Sequence, residues 1–221
     1  RVVVKVGSAL LVDEGKNTIN TAWLAGIAKD ISRLKRAGKD VVVVSSGAIA
    51  LGSQLLKIHN KALSLQEKQA AAATGQVTLA HAWMEALGVC KVQAAQILLS
   101  PDDTETRRKH LNARATMGAL LDLGAVPVVN ENDTVATAEI RFGDNDRLAA
   151  RVAAMIGADL LILLSDVDGL YTGNPNQNNG TAHLPRIDHI TDSIMAMAGA
   201  ANAQYASGGM ITKLEAGRIS T

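Results

Sequence analysis

Apolar residues recur along the chain in two rhythms. Continuous runs rich in β-branched residues, VVVKV (2–6), DVVVVSS (40–46), VQAAQILLS (92–100), AVPVVN (125–130) and DLLILLS (159–165), predict strands buried on both faces. Between them the spacing changes. Leu24, Ile27, Ile31 and Leu34 keep the i, i+3, i+4 order of an amphipathic helix, as do Leu148, Val152, Met155 and Ile156. KHLNARATM (109–117) is placed on a helix as well, with Asn112 and Arg114 serving packing or subunit contact. AGK and LGA turns close the helical stretches. Strand and helix alternate, which predicts an α/β architecture with a parallel sheet covered by helices on both faces. In such folds ligands gather beyond the carboxyl ends of the strands, so the chemistry should follow the strands. One segment, TGNPNQNNGTAHLPR (172–186), reads as a loop: either a surface connection or the edge of a nucleotide pocket.

The residues after the strands fit that expectation. Lys5 ends the first strand and Gly7-Ser8 form the turn behind it, where a missing side chain lets backbone N–H groups approach an anion. After the second strand, Ser45-Ser46-Gly47 opens a helix, whose first turn favours anions. SGGMITK, Ser207 to Lys213, sets two glycines before a helical pattern and a lysine about one turn inside it. Ser165 and Asp166 emerge from the most apolar run of the chain. Each of these taken singly is also an ordinary cap or turn. Neither G-x-x-x-x-G-K-[ST] nor G-x-G-x-x-G occurs, so the two common nucleotide fingerprints are missing. VNENDTVATAEIRFGDND (129–146) adds five carboxylates and three amides against a single arginine. Two lysines, three Gly/Ser anion nests and an acidic cluster at the ends of one sheet together form a kit for phosphoryl transfer.

Composition narrows the alternatives. With 221 residues, 48% of them hydrophobic, the chain can bury the core of one large domain or two at most. A net charge of +1 provides no field toward nucleic acid or membrane, and 2% aromatics leave no stacking platform for single strands. Cys90 is the single cysteine, which suits a reducing cytoplasm and reads as a buried core thiol. His59, His81, His110, His183 and His189 lack metal-ligand spacing and read as surface or packing residues. No signal-peptide pattern and no apolar run of about 18 residues appears. The chain opens at Arg1 without a methionine and stops inside a helical pattern, which predicts trimming at both ends.

KVGSALL, SSGAIALG, KQAAAATGQ, FGDND within NENDTVATAEIRFGDND, SDVDGLYTGNP and SGGMITK occur in the order and spacing of the glutamate 5-kinase family, which has the amino acid kinase fold. The chain resembles that family over essentially its whole length. The resemblance implies a three-layer α/β/α sandwich with a mainly parallel central sheet, forming one amino acid kinase domain over 1–221 without the small C-terminal RNA-modification-type domain of many members. It implies ATP-dependent phosphorylation of the γ-carboxylate of L-glutamate, with Mg²⁺, in the first step of proline synthesis in the cytoplasm. It further implies a dimer or tetramer, coupling to a glutamyl-phosphate reductase and feedback inhibition by proline. Carried over by position, Lys5 and Lys213 contact the transferring phosphoryl group and Asp166 holds both lysines. Lys5, Gly7, Ser8, Ser165, Asp166, Ser207, Gly208, Gly209, Met210, Ile211, Thr212 and Lys213 line the ATP site. Ser46, Gly47, Asn130, Asp133, Asp144, Asn145 and Asp146 surround glutamate, with Asp133 and Asn145 meeting across a hairpin around its ammonium and α-carboxylate. Independently of the resemblance, the alternating TAEIRF run also reads as part of a solvated acidic hairpin on whose exposed face Glu139 and Arg141 pair. No residue is assigned to the metal. The glycine loop reads ASGGM where the family usually has a Gly-Thr pair before Gly-Gly, so Ser207 would supply the hydroxyl.

Two other readings stay open beside this one. A related kinase of the same fold would act on aspartate, acetylglutamate or a nucleoside monophosphate; the acidic stretch separates these, because a free α-ammonium favours nearby carboxylates. A non-catalytic ligand-binding module would be expected to lose Lys5, Asp166 or Lys213, and all are present.

Overall fold

The computed structural model describes residues 1–13, 15, 18–58, 63–135, 145–173, 180–199 and 209–220. In chain order these form β1 (Val2–Val6), α1 (Ser8–Leu11), β2 (Val12–Asp13), β3 (Thr18–Ile19), α2 (Thr21–Arg36), β4 (Val41–Ser45), α3 (Ala48–Leu55) and α4 (Leu65–Val89). There follow β5 (Ala94–Leu99), α5 (Pro101–Glu105), α6 (Arg107–Asp122), β6 (Val126–Glu131), a 3₁₀ turn (Asp133–Val135), α7 (Asn145–Ile156), β7 (Leu160–Leu164), β8 (Leu170–Tyr171), β9 (His183–Leu184), α8 (Asp192–Gly199) and α9 (Met210–Ser220). The five long strands pair in the order β5-β6-β4-β1-β7, and every pairing is parallel. β2–β3 and β8–β9 are two small antiparallel ribbons.

Strand periodicity divides the core. Val2, Val4, Val6, Val41 and Val43 pack with Leu24, Ile31, Leu79, Trp83 and Leu87 of α2 and α4. Their neighbours Val3, Val42, Val44 and Val129 face the other way, onto Met117 and Leu121 of α6 and Leu148, Val152 and Met155 of α7. This is the three-layer α/β/α arrangement expected from the alternation, with strand limits within two residues of those read from the sequence. The expectation that all five strands are buried on both faces is corrected at the margins. β1 and β4 are buried throughout, whereas β5 and β7, which each have one strand neighbour, are largely half-exposed. Cys90 is likewise half-buried, at the carboxyl end of α4, rather than buried in the core.

One close approach governs where the site forms. A Cβ on Gly52 would lie 1.7 Å from the Ala71 carbonyl oxygen, and one on Gly75 would lie 1.9 Å from that of Ala48. Backbone therefore meets backbone where α3 crosses α4, and only glycine fits at these two positions. That contact draws the start of α3, with Ser46-Gly47 before it, against the turn of α4 that carries Gln76. The last part of the chain has its own small cluster, Leu170, Ala198 and Leu214, with partly buried Ile190, Ile194 and Met210 around it. Of the loop-like stretch 172–186, its described part contains His183–Leu184, which pairs with β8, and the Tyr171 and His183 rings meet tilted, with centroids 5.2 Å apart. Among the described residues no helix is long and apolar enough to cross a membrane.

Candidate active site

Lys5 is the one polar residue of VVVKV, and period two puts its side chain on the α7 side of the sheet with Val3. There it is 6% exposed, a position no lysine holds without a partner. The partner is Asp146, fully buried in the first turn of α7, whose Oδ1 lies 2.6 Å from Lys5 Nζ. Lys213, from the first turn of α9, reaches Oδ2 of the same carboxylate at 3.4 Å. The Thr212 hydroxyl donates to that oxygen at 2.7 Å. Lysines from opposite ends of the chain are thus gathered by one anion. A buried carboxylate is tolerable only when paired and hydrogen-bonded, and this one has two cations and a hydroxyl.

The expectation that Asp166 holds the lysines is therefore corrected. Asp166 is exposed beyond β7, and its described hydrogen bond comes from the Ser165 hydroxyl at 3.1 Å. The physical reason is burial: only a carboxylate removed from water is compelled to collect both cations. Asp146, expected as a neighbour of glutamate, takes that place. Its position was readable, since Asp146, Ala149, Ala150 and Ala153 stand at i, i+3, i+4 and i+7, one face of a helix, and all are buried.

Of the remaining nucleotide-side residues, Gly7 caps α1, which Ser8 opens, and a Cβ on Gly7 would sit 3.5 Å from Lys5 Nζ. Gly209 precedes α9, Met210 and Ile211 begin it, and the Gly209 carbonyl accepts from the Thr212 hydroxyl at 2.8 Å. Ser207, Gly208 and Asp144 lie outside the described residues, as do Glu139 and Arg141 of the expected hairpin. Two residues no sequence argument singled out tie α9 down: Arg147 donates to Glu215 Oε2 through Nε at 3.0 Å and through a terminal nitrogen at 2.6 Å.

The acceptor-side residues form a second cluster. Ser46 follows β4, and Gly47 caps α3 at φ 115°, a left-handed conformation that favours glycine. Asn145 Nδ2 donates to Ser46 Oγ at 2.8 Å and to Asn130 Oδ1 at 3.1 Å. Asn130, 3% exposed in β6, donates in turn to Gln76 Oε1 at 2.8 Å. Gln76 lies in KQAAAATGQ but carried no assignment, because one sequence cannot tell which helical amide faces a strand end. Asn145 and Asp133 were expected to meet around bound glutamate; the described hydrogen bonds of Asn145 go to Ser46 and Asn130. Asp133 lines a cavity of about 270 Å³ shared with Gln76, Gln96, Glu131, Asn132 and Thr134. Burial pushes its carboxyl up to about 6.

The model of the amino acid kinase family matches residues 1–219. The chain is 57% identical over all its 221 residues to glutamate 5-kinase of Rhodopseudomonas palustris strain HaA2, covering 59% of that protein. It is 59% identical to glutamate 5-kinase of Rhizobium rhizogenes strain K84, covering 57% of it, and 56% identical to that of Gluconobacter oxydans strain 621H, covering 58%. The chain thus spans less than two thirds of the length of these curated relatives. With the sheet order, the paired lysines and a family match over nearly its full length, the chain belongs to the amino acid kinase family.

Proposed function

We propose that this chain carries the kinase site of a glutamate 5-kinase, which transfers the γ-phosphoryl group of ATP to the γ-carboxylate of L-glutamate. The observation that carries this reading is the convergence of Lys5 and Lys213 on buried Asp146, one residue from the Asn145 that joins the amide cluster. A phosphate end and an amino-acid end thereby abut at a single helix start. The relatives named glutamate 5-kinase support the choice of acceptor.

The chemistry asks little of the protein beyond charge and position. A glutamate side chain has an unperturbed pKa of about 4.3, so the attacking carboxylate is ionised at neutral pH and requires no general base. Its obstacle is repulsion from the triphosphate. Lys5 and Lys213 face that repulsion with charges already desolvated and oriented, and Asp146 holds their separation fixed. The nucleotide would lie along Lys5, Gly7, Ser8, Ser165, Asp166 and Gly209 to Lys213. The central carboxylate is already committed to two lysines, and no group of three or more His, Cys, Asp or Glu side chains among the described residues is placed to hold a metal by itself. Mg²⁺ keeps several of its waters and takes few protein ligands, so it would enter this site together with the nucleotide. When bound, magnesium supplies further positive charge to the triphosphate. Ser46, Gly47, Asn130, Asp133 and Asn145 would bind the acceptor. A cytoplasmic, oligomeric, proline-regulated enzyme coupled to a reductase is the setting this reading carries with it.

The test is a hydroxylamine trap. The full-length protein with MgATP is offered L-glutamate, L-aspartate, N-acetyl-L-glutamate and a nucleoside monophosphate. Hydroxamate with L-glutamate is the expected result; product with another acceptor in its place refutes the reading.

A further inference from the structure

We infer that Gln76 is a positioning residue for the acceptor: it sets the direction of an amide relay that leaves Asn145 Oδ1 free to receive an α-ammonium group. This rests on the reading that the acceptor is an α-amino acid.

The relay runs through polar side chains on α4, β6 and α7 and in the turn between β4 and α3. Gln76 Oε1 accepts from Asn130 Nδ2 at 2.8 Å, so Asn130 turns its own Oδ1 toward Asn145 and accepts there at 3.1 Å. Asn145 Nδ2 has two hydrogens and uses both, one on Asn130 and one on Ser46 Oγ at 2.8 Å. What remains is Asn145 Oδ1, buried and without a hydrogen-bond partner among the described residues. A buried carbonyl oxygen left unmatched is unfavourable, and a ligand N–H relieves it. Ser46 accepts from Asn145 and so keeps its hydroxyl proton to donate. An acceptor beside a hydroxyl donor suits the ammonium and the carboxylate of one α-amino acid.

Nothing in Asn130 or Asn145 alone fixes this polarity. A primary amide turned by half a rotation presents N–H where it presented C=O, and a flipped relay would offer the ammonium a donor. The sense must be imposed from the far end, and Gln76 is that end. It lines the 270 Å³ cavity with Glu131 and Asp133, whose carboxylate oxygens are hydrogen-bond acceptors. They favour the Nε2 donors of Gln76 on the cavity side, which leaves Oε1 for Asn130. The crossing at Gly52 and Gly75 holds α4 at the height where this reach is possible.

The experiment uses the full-length protein and two substitutions. Gln76→Met keeps the volume and removes the acceptor; Gln76→Glu keeps an acceptor oxygen and removes the donors. KM for L-glutamate, KM for MgATP, kcat, and the inhibition constant of glutarate, which lacks only the ammonium, are measured in each. Gln76→Met is expected to raise KM for L-glutamate about tenfold or more, the scale of one hydrogen bond to a charged group. KM for MgATP and the glutarate constant should stay within about twofold, and Gln76→Glu should recover most of the glutamate KM. A merely structural role would move glutamate and glutarate together, and that parallel shift overturns the inference. So does an unchanged glutamate KM in Gln76→Met. If that variant does not fold, a tenfold rise of glutamate KM in Gln76→Glu overturns it by itself. Wild-type protein that phosphorylates no α-amino acid refutes the proposed function, and the inference falls with it, an outcome visible before any variant is made.

Discussion

The two ends of the site are built on different principles. At the acceptor end, Ser46, Asn130, Asn145 and Gln76 bond to one another in a neutral chain. They stand on elements that are clamped by the two large cores and by a glycine-to-glycine helix crossing. At the phosphate end, Lys213 arrives on α9, whose own cluster is small, built on buried Leu170, Ala198 and Leu214. There Asp146, with the Arg147–Glu215 pair beside it, fastens the helix to α7. Shape and neutral hydrogen bonds preorganise recognition of the amino acid, whereas charge preorganises the transfer. Perturbing packing should therefore harm the first end, and perturbing charge the second.

The largest separation is expected at the shared carboxylate. Asp146→Ala leaves Lys5 and Lys213 with no common anchor, and kcat should fall by about 10² or more, as should Lys5→Ala and Lys213→Ala, by analogy with deletion of one preorganised donor. Asp146→Ala should also lower the melting temperature markedly, because it leaves a buried lysine unpaired at a cost of about 3–5 kcal/mol. Near-normal turnover in all three variants would sink the mechanism. Gly75→Ala attacks the other end through packing. A methyl group 1.9 Å from a carbonyl oxygen must push α3 from α4, with an expected loss of about 3 kcal/mol in chemical denaturation. In whatever fraction folds, KM for glutamate should suffer more than KM for MgATP.

Smaller effects sharpen the contrast. Arg147→Ala should lower kcat only about three- to tenfold, since its pair with Glu215 is partly solvated and its contribution is placement of Lys213. The charge swap Arg147→Glu with Glu215→Arg should restore part of that loss; an equal loss in the swap would show that the pair does not position α9. Asp133 gives the mildest change and a pH signature. Its carboxyl is raised from 3.8 to about 6 by burial, so the folded protein holds the proton more tightly than the unfolded chain does. The stability linked to this group is present at low pH and is lost as pH rises from about 4 through about 6. Asp133→Asn should therefore melt a few degrees higher than wild type at pH 7.5, with the gap closing toward pH 4. A gap that widens on acidification would refute the assignment. In wild type, KM for glutamate should rise as pH falls through about 6, and this dependence should be absent in Asp133→Asn.

Much of this was legible in the chain. Runs such as VVVKV and DVVVVSS can only be interior strands, and the alternation with helical spacing leaves a parallel sheet as the economical solution. The motifs at their carboxyl ends then had to share one edge, which made Lys5 and Ser46 candidates, whereas Asn130 and Asn145 became candidates only through the family resemblance. What failed was the choice between two aspartates. Asp166 and Asp146 both sit near lysine-bearing elements, and sequence distance does not report which is withdrawn from water. The buried small-residue face of α7 held the clue. Gln76 was lost for a related reason, since α4 is rich in alanine and its periodicity marks no face clearly.

By itself, then, the sequence determined the layers, the strand positions and the kinds of group at the sheet's edge, because these follow from local periodicity and from turn and cap chemistry. Only the tertiary structure decided which carboxylate joins the lysines, which amide ends the relay and how far α3 descends onto α4. Those outcomes depend on desolvation and on contacts between residues dozens of positions apart, quantities that exist only once the chain has closed on itself.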